Sequence, residues 1–370
     1  MSTYYGLCID YYNFTVYNMF ISRKALTNVQ RGGTFMFMGK KLKKIAMGLT
    51  AVLAAGIIAG CGGGSGSNKQ SAEKKEYKIG IVQLVEHNAL DAANKGFVDG
   101  LKKRGFEEGK NVQIDRQNAQ ADQSNLQNIG QRFVSNKVDL ICAIATPSAQ
   151  TVANMTKDIP IVGTAITDYV GAKLVASNDA PKGNVTGTSD MNPIKEQVDL
   201  LIKLYPNAKT IGTVYCSSEV NSEVQVKAMK EYAESKGLKV ETATISTVND
   251  IQQAAQSLAG KVDVFYEPTD NIIASAMPTL VAITDAAKKG VICGEPNMVK
   301  AGGLITYGID YYKLGLQTGD MAADILEGKG KPATMPIQLA KDLKVFVNKA
   351  DAERLGVKIP DDVMKGAEAF

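Results

Sequence analysis

Tryptophan is absent from the 370-residue sequence, and histidine occurs once, at His87. Any stacking surface must therefore come from Tyr, Phe or His. The five cysteines show no C-x-x-C spacing, which leaves no thiolate metal site and no obvious disulfide framework. Cys142, Cys216 and Cys293 each lie in or at the end of an apolar run and read as small buried hydrophobes on strands. No G-x-S-x-G elbow accompanies His87, so a serine hydrolase is not supported. A metal site would want several ligands, and only Glu86 stands beside that histidine. Phosphate-binding glycine loops are missing too, since Gly62-Gly63-Gly64 follows a cysteine and not a strand. No cofactor is implied. Excess positive charge is confined to one end: residues 1–60 hold seven Lys/Arg and one acid, leaving 35 bases against 37 acids elsewhere. Such a body gives nucleic acid no electrostatic reason to bind.

The basic end has its own plan. Lys40-Lys41-Leu42-Lys43-Lys44 is a positive n-region, and the apolar stretch Ile45–Ile58 follows it. Its 14 residues fall short of the roughly 20 that span a bilayer, and it ends in small residues, as a secretory signal does. Leu53-Ala54-Ala55-Gly56-Ile57-Ile58-Ala59-Gly60-Cys61 resembles a bacterial lipobox, in which the cysteine is lipidated and becomes the first mature residue. A buried helix with a chance cysteine is the alternative. Residues 61–76, rich in Gly and Ser as far as Ser71, read as a flexible tether. Residues 1–37 fit no signal plan; the expectation is a start at Met36 or Met38, a mis-assigned extension before it, and a signal peptide over 38–60. The chain is then expected on the extracytoplasmic face of a bacterial cell membrane, held by lipid alone.

From Tyr77 onward, short β-branched runs alternate with amphipathic segments. Candidate strands are Lys78–Leu84, Val112–Arg116, Val138–Ala145, Ile159–Ala165, Thr210–Tyr215, Lys239–Ile245, Val262–Tyr266, Val291–Gly294 and Gly303–Tyr307. Between them, Leu90, Ala93, Phe97 and Leu101 recur at helical spacing. This alternation predicts an α/β fold of parallel sheets covered on both faces. The order also repeats: Lys78-Ile79-Gly80-Ile81-Val82 is mirrored by Thr210-Ile211-Gly212-Thr213-Val214, and Lys137-Val138-Asp139-Leu140 by Lys261-Val262-Asp263-Val264. Two similar doubly wound lobes result, with strand-end loops converging on one cleft.

Those loops are unlike ordinary turns. The first half offers Glu86 and His87, then Thr146, Ser148, Ala149 and Gln150, then Thr167, Asp168 and Tyr169, with Asp190 near the lobe junction. The second half offers Ser217, Glu219 and Asn221, then Thr269, Asp270 and Asn271, then Glu295. Glu86-His87, Thr146-Pro147-Ser148-Ala149-Gln150, Pro268-Thr269-Asp270-Asn271 and the run from Gly303 to Tyr312 resemble the ABC transporter substrate-binding lipoproteins of the tryptophan/tyrosine type, which have the type I periplasmic binding protein fold. The resemblance runs from about Tyr77 to the C-terminus. It implies a monomeric two-lobed clamp, joined by a hinge with several strand crossings, that closes on a free aromatic L-amino acid. Its partners would be an ABC permease and ATPase. Lobe 1 would comprise 77–190 and 310–335, and lobe 2 would comprise 191–309 and 336–370, with hinges near Asp190 and Asp310.

The loop chemistry suits a zwitterion on its own account. Thr146 and Ser148 stand where a helix begins, so their hydroxyls and the N–H groups of Ala149 and Gln150 are candidates to hold a carboxylate. Such residues serve as N-caps more often than as ligand groups. Asp190, Asp270, Glu219 and Glu295 are candidate partners for an ammonium, though any one of them could be a cap or a solvated charge. Tyr169, Tyr215, Tyr266 and Tyr307 end strands and are candidates to flank a ring. Alternatives within the same fold are another amino acid, a small carboxylate or a sugar-like solute, or a surface ligand sensor. A catalytic constellation is not found, and a non-enzymatic role is expected.

Overall fold

The computed structural model describes residues 75–341 and 343–370. Cys61, the leader and nearly all of the tether therefore lie outside the described residues. The chain opens with β1 (Tyr77–Gln83), α1 (Asn88–Lys103), β2 (Val112–Asn118), α2 (Gln123–Ser135), β3 (Leu140–Ile144), α3 (Thr146–Met155), β4 (Ile161–Ile166) and β5 (Val185–Ser189). It then crosses to a second unit: α4 (Ile194–Leu204), β6 (Thr210–Cys216), α5 (Val220–Ser235), β7 (Lys239–Ile245), α6 (Ile251–Ala259) and β8 (Val264–Glu267). That unit continues through α7 (Asn271–Ser275), α8 (Met277–Ala286), β9 (Val291–Cys293), α9 (Pro296–Lys300) and β10 (Ile305–Gly308). A return follows through α10 (Tyr311–Leu326) and β11 (Gln338–Leu339), and the chain ends with β12 (Lys344–Val347), α11 (Lys349–Leu355), α12 (Asp361–Met364) and β13 (Glu368–Ala369).

The first sheet runs β11-β5-β4-β3-β1-β2, parallel throughout. The second runs β13-β12-β10-β9-β8-β6-β7, with β12 antiparallel to β10. Within them, β2-β1-β3-β4-β5 and β7-β6-β8-β9-β10 share one order, so the repeat in the sequence is a repeat of topology. Strands β3, β4 and β8 are buried at every residue, as expected for sheets covered on both faces. Helix α10 returns to the first lobe and packs on α1 through Gly96, Gly100, Gly315 and Gly319. A Cβ on Gly315 would sit 2.1 Å from the Ala93 carbonyl oxygen, so this crossing requires the bare backbone.

Two expectations are corrected. No candidate strand in the sequence covers 185–189, where Asp190 stands among the loop residues, yet Val185–Ser189 is a buried strand. Its weak apolar pattern is compensated by buried hydroxyl bonds, Thr186 Oγ1 to the Met335 carbonyl (2.8 Å) and Thr188 Oγ1 to Thr318 Oγ1 (2.8 Å). The segment from Pro336 was expected in lobe 2, but Gln338 and Leu339 pair with Thr188 and Ser189 of the first sheet. The third crossing therefore lies between Leu339 and Lys344.

Candidate functional site

Each sheet has a switch point, between β1 and β3 in one and β6 and β8 in the other, where successive loops diverge and leave a crevice. His87 follows β1 and Thr146 follows β3, while Glu219 and Asn221 follow β6 and Asp270 and Asn271 follow β8. The two crevices face one another. Helices α3 and α5 meet across the cleft, and Pro147 shares a groove with Ser218.

A small cavity lies between the lobes. Lobe 1 contributes His87, Leu90, Ala165, Thr167, Asp190 and Tyr311 to its wall. Lobe 2 contributes Asn221, Thr269, Asp270, Asn271, Ala274 and Glu295. Among the described residues, no Lys or Arg lines it. Burial pushes the carboxyls of Asp190, Asp270 and Glu219 above their usual range, with Asp270 adding to the rise on Glu219, and takes Glu295 up to about 7.

Hydrogen bonds separate these acids. Asp190 accepts from Thr167 Oγ1 (3.1 Å) and Tyr311 OH (2.7 Å), one on each oxygen. Asp270 caps α7 through Ile273 N–H (2.9 Å) and accepts on its other oxygen from Cys216 N–H (2.6 Å) and Ser222 Oγ (2.7 Å). Glu295 caps α9, taking Met298 N–H on Oε1 and Asn297 N–H on Oε2, each at 2.7 Å. Glu219 differs. Its Oε2 accepts from Asn271 Nδ2 (2.5 Å) and Asn221 Nδ2 (2.8 Å), but its buried Oε1 has no partner. Asn221 Oδ1, on the next turn, has none either.

The N-terminus of α3 is the counterpart on lobe 1. Its cap position is Ala145, at φ 81° and ψ 153°, a region that only glycine populates freely; holding alanine there costs on the order of 1–3 kcal/mol. Neither Thr146 nor Ser148 is the cap, and both hydroxyls are buried without a partner. The free donors are not the expected N–H groups of Ala149 and Gln150. Ala149 N–H is spent on the Ala145 carbonyl (3.2 Å), Pro147 has no N–H, and the first turn leaves those of Thr146 and Ser148 without intrahelical acceptors. A buried unpartnered hydroxyl costs about 1–3 kcal/mol, so two at one helix start, beside the free N–H groups of the same two residues, would suit an oxyanion.

Several sequence candidates lie elsewhere. Gln150 bonds the Ala172 carbonyl (3.1 Å) and lines the groove that Pro147 shares with Ser218, not the cavity. Glu86 and Ser217 are exposed. Asp168 closes its own turn on the N–H groups of Val170 and Gly171. Tyr169 is core, its hydroxyl bonded to the Thr188 carbonyl (3.0 Å), and so is Tyr266, bonded to Gln197 Oε1 (2.7 Å). Tyr307 is a partly buried strand residue packed on the second lobe's core, and Asp310 caps α10 through Lys313 N–H (3.1 Å). Large side chains at strand ends filled the sheet interface before they could reach the cleft. Two residues of the site region went unnoticed in the sequence. Tyr311 is the one aromatic on the cavity wall apart from His87, and it directly follows a capping aspartate. Asn192, in the first crossing, has both amide atoms buried and unpartnered.

Two α/β lobes with facing switch points, and a cavity walled by both, define a ligand-binding clamp of the type I periplasmic kind. The chain belongs to the ABC transporter substrate binding protein family, whose family model matches residues 78–370. It is 43% identical over 326 residues to a tyrosine-binding protein of Clostridioides difficile (strain R20291), covering 87% of this chain and 94% of that one. Among solved structures it is 42% identical to the ABC domain from Streptococcus pneumonia in complex with L-Trp, covering 80% of this chain and all of that one, at a TM-score of 0.78. It is 47% identical to a substrate binding protein with adhesive properties from Clostridium difficile in its ligand-free, open form, covering 80% and 99%, at a TM-score of 0.62. The lobes thus follow the L-Trp complex more closely than the open structure that is nearer in sequence. This is a closed cleft.

Proposed function

We propose that this chain is the extracytoplasmic ligand-binding component of an ABC importer and that its ligand is a free aromatic L-amino acid, tryptophan or tyrosine before phenylalanine. The observation that carries the zwitterion is the pairing of orphans across the cleft: Thr146 and Ser148 for the carboxylate, Glu219 Oε1 for the ammonium. Glu219 is preferred to Asp190, Asp270 and Glu295 because those three already have both oxygens occupied. The ring would lie on the apolar wall of Leu90, Ala165 and Ala274, against Tyr311. The ligands named for the relatives support the aromatic part. The role is delivery to a permease and ATPase, as a monomer and without catalysis, from a diacylated Cys61 on the outer face of the cytoplasmic membrane.

Calorimetry with tryptophan, tyrosine, phenylalanine, leucine and tryptamine tests the ligand. Tryptophan or tyrosine should bind, leucine and tryptamine far more weakly. Leucine binding as tightly as tryptophan would remove the aromatic claim, and tryptamine doing so would remove the carboxylate receptor. Cys61→Ser should release the protein from the membrane or leave it unprocessed; unchanged lipid labelling would end the anchor reading.

A further inference from the structure

His87 is an odd choice for its position. It is the N-cap of α1, where Ser, Thr, Asp or Asn would satisfy a free N–H, yet its side chain makes no cap bond. Instead the ring crosses the cleft, and its Nε2 lies 3.3 Å from Asn271 Oδ1 on lobe 2. The polarity of that contact is fixed from the far side. Glu219 Oε2 accepts from Asn271 Nδ2 (2.5 Å), which turns the amide oxygen toward lobe 1, so His87 Nε2 must donate. A directed chain therefore runs from His87 through Asn271 to Glu219, and it ends on the carboxylate whose other oxygen is the orphan.

We propose that His87 is a positioning residue that couples lobe closure to capture of the ligand's ammonium, by donating from Nε2 to Asn271 and so orienting Glu219. The inference rests on the amino-acid reading above. An ammonium on Oε1 favours the ionised form of Glu219 against its burial, which makes Oε2 a better acceptor and holds Asn271 in the one orientation that His87 can meet. Without the ligand's charge, closing the cleft buries Glu219 beside Asp270 with nothing to balance either. Burial in the closed cleft holds the ring below the usual histidine range, against weaker upward pulls from the Asn271 bond and from Asp91 on its own helix. The groups facing it across the cavity are Asp270, Glu295 and Asp190, with Glu219 behind Asn271.

One histidine in the chain means one imidazole signal, so nitrogen-15 NMR of untagged full-length protein reads this ring alone. With L-tryptophan or L-tyrosine at saturation, the ring should become the neutral Nε2–H tautomer, and its titration should move to lower pH than in the free protein. His87→Ser supplies a better cap for α1 and removes the donor. It should keep the thermal midpoint of the ligand-free protein while weakening binding roughly three- to tenfold. His87→Gln keeps a donor on a similar reach and should recover most of that loss. Binding in calorimetry with an unchanged tautomer and titration overturns the proposal, as does His87→Ser binding at wild-type affinity. If the wild type binds no aromatic amino acid at all, the amino-acid reading fails, and this inference falls with it.

Discussion

Thr146 and Ser148 illustrate how a binding residue differs energetically from a structural one. Their hydroxyls have given up water and gained nothing in the protein itself, so removing them should not destabilise the ligand-free fold. Thr146→Ala with Ser148→Ala should leave the thermal midpoint unchanged or slightly raised. Each lost bond to a charged carboxylate is worth roughly 1.5–3 kcal/mol, so affinity for the amino acid should fall at least tenfold. Glu219→Gln provides the complementary probe. It keeps an acceptor and the shape but loses the charge, and calorimetry should show a loss of at least tenfold. Asp270→Asn should behave differently, because Asp270 ties α7 to β6: there the melting temperature should drop along with affinity.

At the scale of elements, the α1–α10 crossing and the short helix α9 hold the clamp's walls in place. Gly315→Ala places a methyl group 2.1 Å from a backbone oxygen of α1, and neither helix can yield locally. Overpacking of this kind costs about 1–3 kcal/mol, to be seen as a lower urea midpoint at unchanged slope. Helix α9 carries a pH signature through its cap. Burial takes Glu295 from 4.5 up to about 7, so the folded state favours the protonated acid. That contribution is complete below about pH 4.5 and is lost as pH rises through about 7, amounting to at most roughly 3 kcal/mol. Held closed by saturating ligand, the protein should therefore melt higher at pH 5 than at pH 8, and Glu295→Gln should flatten the difference.

For the whole molecule, closure is the property that matters. The two lobes join through crossings at 190–193, at 309–310 and between Leu339 and Lys344, short segments able to absorb rotation while both sheets stay intact. Closure buries Asp190, Asp270 and Glu295 around a cavity on whose wall no Lys or Arg stands among the described residues, which opposes the closed form unless a cation enters with the ligand. Small-angle scattering should show the free protein expanded relative to this closed arrangement and compacted by saturating ligand. Identical profiles would argue against a clamp.

The sequence by itself determined the lobes. Alternating runs of β-branched and amphipathic residues dictate parallel sheets with crossover helices, and the repeat of Lys-Ile-Gly-Ile-Val in Thr-Ile-Gly-Thr-Val dictates that there are two. It also placed His87, Thr146, Ser148, Glu219 and Asn271 on strand-end loops, since loop position follows from strand position. What it did not contain was direction. Whether Tyr169 and Tyr266 point at the ligand or into the sheet depends on pleat and neighbours, and both found core partners. Four acids near the cleft look alike along the chain; cap bonds fill both oxygens of Glu295, tertiary bonds those of Asp190, and one of each kind those of Asp270, leaving one oxygen of Glu219 free. Residues 185–189 became a strand because partners distant in sequence, Met335, Thr318 and Gln338, completed it. Local pattern sets which elements form; only packing decides which polar atoms are left for a ligand.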